Sequence, residues 1–400
     1  MARTVHFVSR IGGVNAIMSK LNVLLAFPEC HKRGGVERIM FECSGFLSNR
    51  SHNVQILANC VDDSLLLHPN ITFRAVKSHK TLWFLNGLRY YISATRQANK
   101  LDFDVMNTHG CVAPVGGVPW VQSVHRAWLE VSQRLRPDPR QRLRQRLNPL
   151  HPILLMLERE HFAKRQYRKV IVTTSDVRAD LYRLYSVPES DIEIVPNGFN
   201  PTEFNLERRL QSRGKARHDL GINDKQFVVL FAANELERKG FYPLLRAFSH
   251  LRDTDTQLLV VGRYDSAQAQ KAVDAHSIGD RVRLCGSTSN IATYHAVADA
   301  FVLPTKYEAF CLAILEALGS GLPVITTKVP GAYNAIIEGV NGLLLNNSED
   351  AVELASLINT LSGSRLDGFE PTNITQTVEQ YQWPSVLRSY EKILVDNSKG

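Results

Sequence analysis

Short apolar segments alternate with amphipathic segments along most of the chain, and this alternation limits the fold more than any other feature. The apolar segments predict strands at residues 21–27, 53–57, 71–73, 103–107, 120–124, 169–173, 192–195, 227–231, 258–261, 282–284, 300–303, 323–326 and 342–345. Short strands separated by helices are typical of parallel, doubly wound sheets. The pattern therefore predicts an α/β protein with two such sheets.

The boundary between the sheets is predicted at a turn cluster, residues 195–201, which precedes a polar stretch at 203–223. The expected units are 21–198, 199–377, and a last helix with its tail at 378–400, which is predicted to pack away from the second sheet. Residues 1–20 form either an extension or a misassigned start, with Met18 as the alternative initiator.

Composition excludes some classes of protein. The chain has 400 residues, 44% of them hydrophobic, and no apolar run is long enough for a membrane span. Residues 1–200 hold 27 Lys and Arg against 16 Asp and Glu, a net +11, whereas residues 201–400 hold 20 against 23, a net −3. The function that the basic charge serves is therefore expected in the first half of the chain. The six scattered cysteines indicate a reducing compartment.

Two glutamates mark the segment with the most chemical content. Glu308 and Glu316 flank an apolar stretch that predicts a buried helix, beginning just after Glu308 and ending at Gly319. The N–H groups at the helix start, on Ala309, Phe310 and Cys311, suit an anionic or polyhydroxyl ligand. The alternative is that Glu308 is a surface loop residue and Glu316 a paired structural acid.

Two loops after predicted strands suit phosphate groups. Gly34 and Gly35 precede a predicted helix, where backbone N–H groups can approach a phosphate closely. Arg238 and Lys239 follow the first strand of the second sheet, where doubly wound folds bind ligands, and adjacent cations suit a diphosphate. Taken singly, a tight turn and a solvated pair of cations explain these residues as well.

His125 is predicted to end the strand at 120–124, at the same edge of the first sheet. There it could donate a hydrogen bond to a ligand hydroxyl or carbonyl. A helix-capping or surface histidine is the alternative.

A basic segment follows His125 and is interleaved with apolar residues. Basic charge beside apolar surface favours docking on an anionic membrane or a lipid-linked acceptor. Nucleic acid is not expected, because no recognition motif or aromatic platform accompanies the charge; a merely solvated basic face remains the alternative. The docking candidates are Arg136, Arg140, Arg142, Arg144 and Arg146.

The order of these motifs resembles the retaining family 4 glycosyltransferases of the GT-B fold. The series includes the Gly34–Gly35 loop, His125, Arg238-Lys239-Gly240 and the Glu308…Glu316 spacing before a Gly-Leu-Pro-Val turn. Within that family it is most like bacterial lipopolysaccharide-core or other surface-polysaccharide enzymes. The resemblance implies two Rossmann-like domains that face a cleft, with a C-terminal helix crossing back.

The resemblance also implies roles for the donor-site residues. Gly34 and Gly35 would lie near the donor phosphate or sugar, and Arg238 and Lys239 would neutralise the departing diphosphate. Glu308 would accept hydrogen bonds from sugar hydroxyls, helped by the N–H groups of Ala309, Phe310 and Cys311. Glu316 would hold the ribose hydroxyls, and His125 would contact the sugar near the reacting carbon.

The chain departs from the family pattern in three places. Residues 232–234 replace a Gly-Arg pair, 333–335 replace a Pro-Glu pair, and Gly262-Arg263 replaces a Gly-x-Gly turn. No Asp-x-Asp pair appears where a metal would bridge the diphosphate, which predicts transfer that needs no metal and no cofactor.

These features together predict a hexosyltransferase that uses a nucleotide diphosphate sugar and a glycan or lipid-linked acceptor. The expected location is the cytoplasm, with peripheral attachment to the inner face of the plasma membrane. A nucleotide-sugar epimerase of GT-B build and a non-catalytic nucleotide-sugar-binding module are the alternative functions.

Overall fold

The computed structural model describes residues 20–77, 82–136, 138–363 and 366–399, so the expectation for residues 1–19 lies outside the described residues. The first half forms a parallel sheet of seven strands in the order β5-β3-β1-β6-β7-β8-β9, beside a two-stranded sheet, β2-β4. The strands are β1 Asn22–Ala26, β2 Glu29–Cys30, β3 Asn53–Ala58, β4 Cys60–Val61, β5 Ile71–Ala75, β6 Val105–His109, β7 Val118–Val121, β8 Val170–Val172 and β9 Ile192–Ile194.

The second half forms a parallel sheet of six strands in the order β12-β11-β10-β13-β14-β15. These strands are β10 Val228–Ala232, β11 Gln257–Val261, β12 Val282–Gly286, β13 Ala300–Leu303, β14 Val324–Thr327 and β15 Gly342–Leu345. The central strands of both sheets are buried on both faces, as the apolar runs of a parallel sheet require. Two doubly wound sheets are confirmed.

Helices cover both sheets. They are α1 Val36–Asn49, α2 Asn86–Ala98, α3 His125–Arg134, α4 Pro139–Arg146, α5 Leu150–Glu158, α6 Ser175–Tyr185, α7 Leu206–Asp219, α8 Leu236–Lys239, α9 Phe241–Phe248, α10 Ser266–Asp274, α11 Ile291–Val297, α12 Leu312–Gly319, α13 Ala351–Gly363, α14 Pro371–Gln376 and α15 Trp383–Asp396. Short 3-10 or π turns lie at 63–67, 83–85, 159–163, 189–191, 333–335 and 379–381. No helix among the described residues is both long and apolar enough to cross a membrane.

The polar stretch that follows the predicted boundary, residues 203–223, is mostly the helix α7. The sequence hides this helix because cations replace apolar residues on its inner face. Arg217 is buried and donates to the carbonyl of Val297 and to Asp299. Arg209 is also buried and donates to the carbonyls of Gly321 and Ala298. Guanidinium groups thus satisfy carbonyls that would otherwise be buried without a partner.

The alternation of strands and helices also predicts a helix at residues 331–338, and this prediction is wrong. Only a 3-10 turn forms, at Tyr333–Ala335, because Gly331 adopts a φ of +78° and its N–H donates to the Asn334 side chain. A Cβ at Gly331 would lie 2.5 Å from the carbonyl of Ala309, so this turn is set against the loop that carries Glu308.

Helix α15 crosses back to the first domain, as the resemblance implied. Trp383 is 3% exposed and belongs to the same buried cluster as β1 and α1. The hydroxyl of Tyr390 donates to Asn107 over 2.9 Å, and Glu391 binds His52 over 2.9 Å. The chain leaves the first domain at Phe199, whose N–H donates to Tyr381 and whose carbonyl accepts from Trp383. The segment that leaves the first domain and the segment that returns to it are therefore hydrogen-bonded to each other.

Replacing Trp383 tests the contribution of this crossing to stability. Trp383→Ala is expected to lower the free energy of unfolding by about 3–5 kcal/mol, because it empties a buried aromatic position. Chemical denaturation followed by circular dichroism measures the change. Trp83→Ala is the matched control, since Trp83 is 63% exposed, and should change stability by less than about 0.5 kcal/mol. Equal losses in the two variants would contradict the packing described.

Candidate active site

The loop after β10 places two cations at the carboxyl edge of the second sheet. Arg238 and Lys239 end the short helix α8, and Gly240 follows with a φ of +85°. A Cβ at Gly240 would come within 2.0 Å of the carbonyl oxygen of Pro304. Only glycine allows this approach, which sets the two cations against the segment that follows β13.

Glu308 is where these cations meet. Its carboxylate is buried, and its Oε1 accepts from Lys239 Nζ at 2.5 Å and from Thr305 Oγ1 at 2.9 Å. Arg238 Nη1 lies 3.4 Å from the same oxygen and 2.6 Å from the carbonyl of Tyr307. Arg238, Lys239 and Glu308 therefore meet in space, and Glu308 is not a surface loop residue.

The charges in this cluster stabilise one another. Burial alone would lower the pKa of Lys239, but the neighbouring Cys311 and Glu308 outweigh burial, and the pKa is raised. The pKa of Arg238 is likewise raised, because Glu235 and Glu308 outweigh its burial. Burial raises the pKa of the Cys311 thiol to about 11. Both cations are therefore charged at neutral pH, while the thiol is neutral.

The helix after Glu308 begins later than predicted. Helix α12 starts at Leu312, with Cys311 as its N-cap residue, instead of directly after Glu308. The N–H of Cys311 donates to the carbonyl of Gly331 at 3.0 Å, so it is not open to a ligand. Phe310 is buried, and its ring lies 6.0 Å from that of Tyr381. Residues 309–311 thus form a loop ordered by Gly331, a contact between distant segments that periodicity does not reveal.

Glu316 forms an ion pair across the two domains. Arg38 Nη1, from the first turn of α1, donates to Glu316 Oε1 at 2.7 Å, and both side chains are largely buried. Glu203 and Glu42 also contact Arg38, at 3.5 and 3.8 Å. Burial raises the pKa of Glu316 to about 7, although Arg38 works in the opposite direction. The sequence left open whether Glu316 binds a ligand or is a paired structural acid, and the contact observed is that of a paired acid.

The Gly34–Gly35 loop lies at the start of α1, next to the Arg38 contact. Gly34 has a φ of +94°, and the Glu37 carboxylate occupies the space of a Cβ. Gly35 is the N-cap residue of α1, and no heavy atom lies within 4 Å of where its Cβ would be. Both glycines are exposed, so a ligand can approach the backbone of this loop closely.

His125 begins helix α3 and does not end a strand, because β7 stops at Val121. Its Nε2 lies 3.2 Å from His151 Nδ1, and its ring stacks on Trp128 with 5.6 Å between centroids. Burial, and then His151, lower the pKa of His125 to about 4. The imidazole is therefore neutral at physiological pH.

Glu158 fixes the position of His125, a role that sequence reasoning missed. Its buried carboxylate accepts from the N–H groups of His125 and Arg126, which are the first residues of α3. The hydroxyl of Tyr185 donates to the same carboxylate at 2.7 Å. No local capping signal reveals this contact, because Glu158 is distant in the chain.

Tyr307 brings the His125 segment and the Glu308 cluster together. Burial raises the pKa of the Tyr307 phenol to about 12, whereas a hydrogen bond with the Ser123 side chain works in the opposite direction. Ser123 precedes His125 by two residues, and Tyr307 precedes Glu308. The candidate site therefore includes the His125 segment and the Glu308 cluster. The Arg38–Glu316 pair brings the start of α1 beside α12.

The basic segment forms a separate surface on α4. Asp138 caps this helix, and Leu143 and Leu147 are 57% and 72% exposed. These two leucines line a groove with Trp83, Arg140 and Arg144. Arg142 and Arg146 are exposed on the same helix, whereas Arg136 differs, because it donates to the carbonyl of Ser132 and lies over the Trp128 ring.

Two family profiles match the chain, one for each domain. Residues 33–203 match Glycosyltransferase Family 4, and residues 212–367 match Glycosyl transferases group 1. Together with the two facing sheets, these matches define a glycosyltransferase of the GT-B fold. The chain belongs to the family 4 glycosyltransferases.

Individual relatives agree with this class. The chain is 26% identical over 242 residues to the lipopolysaccharide 1,2-N-acetylglucosaminetransferase of Salmonella typhimurium, covering 56% of this chain and 61% of the relative. The crystal structure of WaaG, a glycosyltransferase involved in lipopolysaccharide biosynthesis, aligns with a TM-score of 0.79 at 20% identity, over 93% of this chain and 99% of that one. Anabaena HepE in complex with UDP-glucose aligns with a TM-score of 0.71 at 18% identity, over 94% and 100%. The chain spans about 60% of the length of the first curated relatives it matches.

The raised pKa of Glu316 predicts a pH-dependent stability. Between its ordinary value of 4.5 and about 7, the folded protein holds a proton that the unfolded chain has lost, so stability falls as the pH rises through this range. Glu316→Gln cannot ionise. The stability of the native protein relative to this variant should therefore fall by on the order of 1–3 kcal/mol between about pH 5 and pH 8.

Urea denaturation at several pH values measures this difference. Glu338→Gln is the control, because Glu338 is exposed, and its stability should follow that of the native protein. Parallel pH profiles for Glu316→Gln and the native protein would contradict a buried, proton-holding Glu316.

Proposed function

We propose that this glycosyltransferase moves a hexose from a nucleotide diphosphate sugar to a hydroxyl of a glycan or lipid-linked acceptor, with retention of the anomeric configuration. The expected process is the synthesis of cell-surface polysaccharide or lipopolysaccharide. The observation that carries the proposal is the meeting of Arg238, Lys239 and buried Glu308 at the carboxyl edge of the second sheet.

The two cations are suited to a departing diphosphate. As the bond to the sugar carbon breaks, negative charge grows on the leaving phosphate oxygens, and preorganised cations stabilise that charge. The contacts with Glu308 and Glu235 hold the Arg238 side chain before any donor arrives, and Glu308 does the same for Lys239. Two protein cations in this position are consistent with a transfer that uses no metal.

Glu308 acts in this proposal as a hydroxyl acceptor and not as a nucleophile. Its Oε1 already accepts from Lys239 and Thr305, which leaves a charged, fixed carboxylate at the cleft. Such a group binds sugar hydroxyls in defined positions. Retention then follows from attack on the face from which the diphosphate leaves.

His125 is proposed to contact the donor sugar as a neutral group. With a pKa of about 4 it carries no charge at neutral pH, so it can donate or accept one hydrogen bond without attracting the diphosphate. Glu158 acts as a positioning residue for it, through the start of α3.

If Glu316 binds the donor ribose, the ribose hydroxyls must compete with Arg38 for its carboxylate. Arg38 already donates to Glu316 Oε1, so ribose hydroxyls either share the carboxylate with Arg38 or displace it. Gly34 and Gly35 begin the same helix as Arg38, and they are proposed to place backbone N–H groups near the donor phosphate or sugar.

An assay of donor cleavage distinguishes this function from its rivals. The protein is incubated with a panel of nucleotide sugars, starting with UDP-glucose, which the fold relative HepE binds. Release of nucleoside diphosphate is the expected result. A binding module would release none, and an epimerase would change the sugar while leaving the diphosphate bond intact.

Variants test the assigned residues. Lys239→Ala and Glu308→Ala are expected to lower kcat by about 10²–10³-fold, because each removes a preorganised contact to the transition state. Lys271→Ala, at an exposed lysine on α10, should keep the native rate. Activity that survives both Lys239→Ala and Glu308→Ala would overturn the site assignment.

The α4 surface is proposed to dock on an anionic membrane, where a lipid-linked acceptor would be found. Four arginines lie on one short helix, next to exposed Leu143, Leu147 and Trp83. Apolar side chains can enter the interface while the arginines bind lipid phosphates. This arrangement supports peripheral attachment to the inner face of the plasma membrane.

Vesicle sedimentation tests this docking. Replacing Arg140, Arg142, Arg144 and Arg146 by Gln should weaken binding to phosphatidylglycerol vesicles by at least roughly tenfold, since each basic residue contributes about 1 kcal/mol, and salt should weaken native binding. The control for net charge replaces four exposed lysines by Gln, which removes the same number of positive charges. These are Lys215, Lys225, Lys271 and Lys328. Binding that is indifferent to salt, anionic lipid and these arginines would refute the proposal.

A further inference from the structure

The small two-stranded sheet beside the first domain brings together three side chains with metal-binding atoms. Glu29, His31 and Cys60 each place one ligand atom so that all three atoms lie within 4.8 Å of one another. Glu29 and Cys60 are exposed and His31 is half-buried, so the cluster is open to solvent. None of the three takes part in the site described above.

The backbone explains why these side chains meet. Strands β2 and β4 are parallel, and Glu29 is directly opposite Cys60. His31 follows directly after β2, in a bend, and its Nε2 lies 3.0 Å from Glu29 Oε2. Strand register therefore brings Cys60 beside Glu29, and the bend after β2 brings His31 to the same carboxylate.

The donor set has a definite chemical preference. A thiolate, an imidazole and a carboxylate are the three ligand types that Zn²⁺ takes in proteins, whereas Mg²⁺ and Ca²⁺ prefer oxygen alone. Tetrahedral zinc with bonds of about 2.0–2.3 Å requires ligand atoms about 3.5 Å apart. His31 Nε2 and Glu29 Oε2 are already 3.0 Å apart, so closing the site needs movements of about an ångström in side chains at the surface.

We propose that Glu29, His31 and Cys60 form a Zn²⁺ site with a fourth position left for water. Binding releases the thiol proton of Cys60 to solvent, and the hydrogen that His31 Nε2 shares with Glu29 must leave that nitrogen as well, because the metal binds its lone pair. The metal would tie the start of the loop that carries Gly34 and Gly35 to strand β4. The site is distinct from the proposed donor site, where two protein cations meet the diphosphate.

Nearby charges make a specific test necessary. Two cations, Lys32 and Arg33, directly follow His31. The ammonium of Lys32 lies over the Phe41 ring at 5.0 Å, and the N–H of Arg33 donates to His31 Nδ1 at 3.3 Å. The carboxylate of Asp62, two residues after Cys60, accepts hydrogen bonds from Ser64 and supplies negative charge. Without a metal, His31 Nε2 and Glu29 Oε2 lie within hydrogen-bond distance of each other, at 3.0 Å.

Metal titration of the full chain tests the proposal. After treatment with a chelator, the protein is expected to bind about one Zn²⁺ per chain, and Co²⁺ should give a sulfur-to-cobalt charge-transfer band in the near ultraviolet. Cys60→Ser and His31→Ala should each weaken Zn²⁺ binding by at least about a hundredfold, since loss of even an outer partner weakens metal binding by about 10–100-fold. Zn²⁺ should raise the melting temperature of the native protein and not that of Cys60→Ser.

Cys285→Ser is the matched control, because Cys285 is a partly exposed cysteine outside the cluster. It should bind both metals like the native protein. The proposal is overturned if the native protein does not bind Zn²⁺, or if Cys60→Ser and His31→Ala bind as the native protein does. No nucleotide sugar is present in these measurements, so their outcome is independent of the proposed transferase activity.

Discussion

The double crossing of the chain between its domains is the constraint on which the rest of the structure depends. The chain leaves the first domain at Phe199 and returns at Trp383, and these two segments bond to each other. Gly198 permits the contact, since a Cβ there would lie 2.7 Å from the Trp383 ring. Helix α15 then fills the core of the first domain. The cleft between the sheets is therefore held at one point by buried aromatic packing.

Charged groups define the cleft at other points. The Arg38–Glu316 pair joins α1 to α12, and the hydrogen bond between Tyr307 and Ser123 joins the segments that carry Glu308 and His125. Removing one member of a buried pair of charges strongly destabilises a protein, because the other charge is left buried without a partner. Opening of the cleft would expose these groups to water, so the contacts between these groups and the relative position of the domains are physically linked.

The sequence predicts the two sheets well, because parallel strands buried on both faces appear as short apolar runs whatever the tertiary context. It names Arg238, Lys239 and Glu308 as candidates, through the order of motifs and the position of loops at strand ends, but it does not predict their contact. It failed at α7, where buried arginines replace the apolar face, and at 331–338, where a glycine contact with Ala309 replaces a helix.

The sequence alone therefore determined the fold class and the family, and it named Arg238, Lys239 and Glu308 as candidate site residues. Only the tertiary structure decided which groups those residues meet. It pairs Glu316 with Arg38, caps the His125 helix with Glu158, and brings Cys60 to Glu29 and His31. The reason is that strand and helix patterns are local in the chain, whereas these contacts join segments far apart in it and depend on register and domain packing.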